Sequence, residues 1–195
     1  MRSFAFVLLA LLTVLTVLLH HSAAAAAPGD PRLSTIASEL ARRHVTIRCE
    51  GLSGALTDAR GESGRTEFNG GKPVSVSYLQ EGVCQTLHAY ARALSAGEAC
   101  LLPCESPLEV AWSVNTLAHE SYHLAGVRNE AQTECYALQA IDFVARRLGA
   151  SAEQARALAV FSFDQLPGRM PAEYSSPLCY NGGKYDLRPS GSVWR

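Results

Sequence analysis

One stretch of this chain restricts its fold more than any other. Between Val110 and Leu124 the only charged residue is Glu120. The flanks carry helix punctuation: Ser106 stands as a cap, Pro107 occupies the first helical position, and Gly126 stops the run. A helix without a polar face must be largely buried, so other elements have to cover it. Inside it lies His119-Glu120-Ser121-Tyr122-His123, an H-E-x-x-H pattern. Buried imidazoles and a buried carboxylate need strong partners, and a metal ion supplies one.

The surrounding sequence supplies covering elements. Leu33 to Arg43 has helical spacing, with Ser34 as a candidate cap. Val45 to Cys49 is rich in β-branched residues and predicts a strand. Thr66 to Phe68 and Val74 to Tyr78 predict two more short strands around a Gly70-Gly71 turn. Val83 to Leu94 is amphipathic. Asn129 caps a helix from Glu130 to Leu148, and Ser151 caps another that ends near Leu166, before Pro167-Gly168. The tail from Pro171 shows no periodicity. The expected fold is a single α+β domain, mainly α, with a small sheet, and with the H-E-x-x-H helix and the Glu130 helix packed as an antiparallel hairpin.

The N-terminus predicts export. Arg2 is the only charge before Asp30, Phe4 to Leu19 is apolar apart from two threonines, and Ala23 to Ala27 forms a small-residue cleavage region. This is the form of a secretory signal peptide over residues 1–27, leaving residues 28–195 as the mature domain. An uncleaved segment would instead act as an anchor, the one expected membrane connection. All six cysteines, Cys49, Cys84, Cys100, Cys104, Cys135 and Cys179, fall in the mature chain and are disulfide candidates in an oxidising compartment. Six cysteines allow 15 pairings, and sequence does not choose among them. Without Arg2 the mature chain has 16 basic against 18 acidic residues. That balance offers nothing to hold a phosphate backbone, so nucleic acid is not an expected partner.

Chemistry concentrates in residues 116–134. Helical residues four apart share a face, so His119 and His123 can point ring nitrogens at one Zn²⁺. Glu120 lies about 100° further round, beside the metal, where a general base would take a proton from a metal-activated water. A new helix then opens with Asn129-Glu130-Ala131-Gln132-Thr133-Glu134. Residues 110–136 resemble the gluzincin zinc metallopeptidases, the thermolysin-like clan, which pair an HExxH helix with a following N-E-x-x-S-D helix. The resemblance implies Zn²⁺ as cofactor, Glu130 as third ligand, Glu134 as the carboxylate that orients a ligand histidine from behind, and a peptide or protein substrate. Hairpin geometry pulls the other way: with the turn near Val127-Arg128, Glu134 rather than Glu130 is level with the two histidines. Both acids therefore stand as candidates, with Glu130 favoured.

Other readings are weaker. A metzincin-like pattern, H-E-x-x-H-x-x-G-x-x-H, finds Gly126 in place but Asn129 where a third ligand should be, and only Met170 and Tyr174 to resemble the methionine turn. Cys135 is better placed as half a disulfide than as a soft ligand. His88 is expected to be structural. Tyr122, Tyr136, Tyr174, Tyr180 and Tyr185 include candidates for polarising a substrate oxyanion. The functional expectation is an exported zinc hydrolase, a small metallopeptidase. The alternative is a non-catalytic, disulfide-stabilised exported domain with a structural or vestigial zinc site, acting as a binding module.

Overall fold

A computed structural model describes residues 28–51 and 63–189. The predicted signal peptide lies outside the described residues. Five α-helices, three strands and two 3₁₀ turns make up the described chain: α1 (Pro31–Ala41), β1 (Thr46–Glu50), β2 (Gly64–Asn69), β3 (Lys72–Gln80), α2 (Glu81–Ser95), α3 (Pro107–Leu124), α4 (Glu130–Arg147), α5 (Ala152–Gln165), and 3₁₀ turns at Pro167–Arg169 and Ala172–Tyr174. The mainly α, α+β expectation holds.

The uncharged helix α3 is the hub. It packs against all four other helices and against β2 and β3. Ala111, Val114, Leu117, Ala118 and Leu124 are fully buried along it. Burial of such side chains, at roughly 1.5–3 kcal/mol for each large one, is what fixes α3 at the centre. Its N-terminus differs from expectation. Ser106 has φ 47° and makes no side-chain cap bond, so Pro107 alone marks the start. At the other end Gly126 takes φ 103°, a left-handed turn that glycine adopts without steric cost.

Helix α4 returns antiparallel to α3. Asn129 caps it by accepting from the Gln132 amide at 2.9 Å. Helix α1 is capped by Asp30, which accepts from Leu33 N, and not by Ser34. Ser34 Oγ instead accepts from Ile47 N of β1. His88 on α2 meets Asp30 at 2.7 Å and so ties α2 to the start of α1.

The sheet runs in the order β1-β3-β2, with β1 parallel and β2 antiparallel to β3. Both hairpin strands are longer than their apolar patterns predict, because ladder hydrogen bonds extend them to the Gly70-Gly71 turn. The burial phase of β3 is unexpected. Of the alternating Val74 to Tyr78 segment, Ser77 is the fully buried residue, on the same face as Leu79. The reason lies in the site described below.

All six cysteines are paired, as Cys49–Cys84, Cys100–Cys104 and Cys135–Cys179. Three disulfides fit an oxidising compartment. No helix among the described residues is long and apolar enough to cross a membrane. Cys135–Cys179 matters most to the site, because it pins the irregular tail onto α4; Gln139 adds hydrogen bonds to Tyr185 O and Leu187 N. Replacing both cysteines by serine opens a 44-residue separation. On the chain-entropy account that change should cost about 4 kcal/mol, measured as a drop in denaturant midpoint.

Candidate metal centre

Helices α3 and α4 bring His119, His123 and Glu130 together. Glu130 Oε2 lies 3.0 Å from His119 Nε2 and 3.1 Å from His123 Nε2. One ligand atom from each of the three falls within 4.8 Å of the others. The histidines are one helical turn apart on α3, and Glu130 reaches them from the first turn of α4.

The outer ring nitrogens decide what this cluster asks for. His123 Nδ1 is 2.7 Å from Val127 O, and a carbonyl only accepts, so Nδ1 carries the proton. His119 Nδ1 faces Glu134 Oε2 at 3.0 Å. Glu134 is itself held by Asn115 Nδ2, which donates to both carboxylate oxygens at 2.9 and 3.1 Å. Glu130 Oε2 also only accepts, so a proton on either Nε2 is donated to it; with those protons displaced, each imidazole would present an Nε2 lone pair inward. Two lone pairs and a carboxylate oxygen then converge on one point, and three converging acceptors are satisfied by a cation. The residues fit Zn²⁺: two histidines and one glutamate with a fourth position left over is a catalytic-type ligand set.

Glu134 therefore sits behind His119 rather than among the inward-facing atoms. The hairpin places it level with the histidines, as its position predicts, but on the Nδ1 side. Glu130, one turn nearer the α3–α4 connection, reaches inward with a half-exposed side chain. Asn129 is occupied as a helix cap, Cys135 is disulfide-bonded, and neither joins the cluster.

Charge follows the same geometry. Burial alone would lower the His119 pKa, but hydrogen bonds to Glu130 and Glu134 and the charges of Glu120 and Glu134 outweigh it and raise it to about 9. Burial would raise Glu130, yet the two histidine contacts hold it down at about 2. These carboxylates favour positive charge at the centre, whether proton or metal.

Glu120 is 4% exposed and points to the sheet side of α3. Its Oε2 accepts from Thr66 Oγ1 at 2.6 Å and from Ser77 Oγ at 3.1 Å. This accounts for the phase of β3: the buried Ser77 hydroxyl is shared between Arg65 O, at 2.8 Å, and Glu120 Oε2. Burial pushes the Glu120 pKa up, against the opposing pull of His119, His123 and the two hydroxyls. A carboxyl held above its ordinary range is better matched to accept a proton near neutral pH.

Sequence reasoning did not find Thr66, Ser77, Gly64 or Asn115. The polar phase of Val74 to Tyr78 was the available signal for Ser77. Gly64 is tight against the site: a Cβ there would fall 2.8 Å from Glu120 Cγ and 3.0 Å from Leu79 Cδ2. Gly64→Ala should therefore destabilise the fold by about 1–3 kcal/mol and disturb the Glu120 carboxyl, seen as a lower melting temperature.

Of the five tyrosines, Tyr174 is the one beside the centre, its ring 5.5 Å from that of His119. Tyr122, Tyr136 and Tyr185 pack among themselves, and Tyr180 is exposed. Phe68 of β2 meets His123 edge-on at 6.0 Å.

No protein-family model matches this chain, and neither a curated protein nor a solved structure matches it.

Proposed function

We propose that the protein is an exported zinc-dependent hydrolase, a small metallopeptidase of the gluzincin-like kind. The observation that carries this reading is the convergence of His119 Nε2, His123 Nε2 and Glu130 Oε2, with each histidine anchored through Nδ1. Bound zinc would supply Lewis-acid activation of water near neutral pH. Glu120 takes the water's proton and passes it to the leaving amine. Thr66 and Ser77 hold the Glu120 carboxyl in place, Glu134 and Val127 O fix the two imidazoles, and Tyr174, whose ring lies beside that of His119, is our candidate for stabilising a developing oxyanion.

Two features support hydrolysis over a structural site. The metal group contains three protein ligands among the described residues, whereas a structural site closes with four. A structural site also has no use for Glu120. A peptide substrate is supported by β2, an edge strand of the sheet whose Thr66 and Phe68 touch Glu120 and His123. An extended chain can add to such an edge by main-chain hydrogen bonds. The signal-like N-terminus and the three disulfides support secretion.

The test is digestion of a mixed peptide library, read by mass spectrometry. Cleavage that a chelator stops and added zinc restores is expected. Cleavage unaffected by chelation would contradict zinc hydrolysis.

A further inference from the structure

A cavity of about 490 Å³ opens beside the centre, with His119 and Glu120 in its lining. Its remaining walls come from α3, Glu134 of α4, the start of β2 and the tail pinned by Cys135–Cys179. The chemistry of the lining is one-sided. Trp112, Met170 and Tyr174 give it broad apolar and aromatic surface, and no lysine or arginine contributes. Two of its polar hydrogens are used internally: Trp112 Nε1 donates to Ser63 Oγ at 3.0 Å, and Thr116 Oγ1 to Trp112 O at 3.0 Å. Glu173, carried by the Ala172–Tyr174 turn, places an exposed carboxylate in the lining.

Aromatic walls and a carboxylate in the lining suit a long apolar stem with a cationic tip. Net charge points the same way. Four carboxylates, Glu120, Glu130, Glu134 and Glu173, surround the centre and its cavity, and a dication offsets only two of them. Because His119 and Glu120 line the cavity, the side chain that enters it belongs to a residue next to the reacting carbonyl.

We infer that this cavity selects a lysine or arginine side chain of the substrate, with Glu173 as the specificity-determining residue. The inference rests on the metallopeptidase reading and deepens it by naming the substrate class.

Binding tests it apart from turnover. Zinc-loaded Glu120→Gln protein is titrated with fluorescein-labelled peptides that differ at one position, Lys, Leu or Glu, and anisotropy is read. The lysine peptide should bind roughly 10–100-fold tighter than the glutamate peptide, the size expected of a charge-assisted hydrogen bond. In the Glu120→Gln, Glu173→Lys protein that order should reverse. Glu173 is exposed, so its replacement leaves the fold intact, checked by an unchanged melting temperature. Equal affinity for all three peptides, or a lysine preference that survives Glu173→Lys, overturns the inference. The library digestion separates the two levels. Zinc-dependent cleavage without basic residues beside the cut bond overturns the cavity assignment alone. Absence of any cleavage by wild-type protein overturns the peptidase reading, whereas selective lysine-peptide binding that Glu173→Lys reverses still supports basic recognition by the cavity.

Discussion

Glu120→Gln protein should take up zinc as the wild type does and lose hydrolysis by about 10²–10⁴-fold, the range set by removing a positioned general base. The amide is nearly isosteric, so packing against Gly64 is preserved. Its oxygen can still accept from Thr66 or Ser77, but it cannot accept the proton that the reaction releases. Glu120 contributes no atom to the His119, His123, Glu130 group, so zinc affinity should be nearly unchanged. Parallel measurement of kcat/KM and bound zinc checks both halves. Full hydrolysis by a zinc-loaded Glu120→Gln protein would overturn the general-base role of Glu120.

The second large effect is loss of metal itself. His119→Ala or His123→Ala should abolish stoichiometric zinc binding, because each removes one of three inward-facing ligand atoms. Glu130→Ala should weaken binding severely for the same reason. Glu134→Ala should be milder, about 10–100-fold in affinity or activity, since Glu134 orients His119 through Nδ1 without facing the metal. It should also lower stability, because Asn115 Nδ2 and His119 Nδ1 are left buried without an acceptor. Titration of each variant with zinc, alongside thermal unfolding, separates these roles. A Glu134→Ala loss greater than that of Glu130→Ala would exchange the two assignments.

The helices were legible because each declares itself twice, in apolar spacing and in punctuation. Asn129 and Ser151 cap the helices assigned to them, and Gly126 terminates α3 in a left-handed turn. Ser34 and Ser106 cap neither α1 nor α3; Ser106 takes a left-handed backbone at φ 47° and makes no cap bond. A serine near a helix start offers its hydroxyl to whichever backbone group tertiary packing brings closest, and for Ser34 that group is Ile47 N. The gathering of His119, His123 and Glu130 was legible because these residues lie on two helices joined by a short turn, where spacing alone fixes faces. Hairpin level did not separate Glu130 from Glu134, because both acids reach the histidines, one at Nε2 and the other at Nδ1. The sheet's share of the site was hidden. Thr66 and Ser77 meet Glu120 only through pairing of β2 with β3 and packing of both on α3, contacts of long sequence separation. The cavity wall was more hidden still. Met170, Glu173 and Tyr174 belong to a tail without periodicity, whose place is set by the Cys135–Cys179 bond and by Gln139.

Elemental analysis of the purified protein reaches the central claim most directly. The protein is offered zinc at neutral pH, freed of loosely held metal by gel filtration, and compared with its His123→Ala variant. The account predicts one zinc per wild-type chain, removable by a chelator, and essentially none in the variant. A wild-type chain that retains no zinc, or a His123→Ala chain that retains as much, would contradict it.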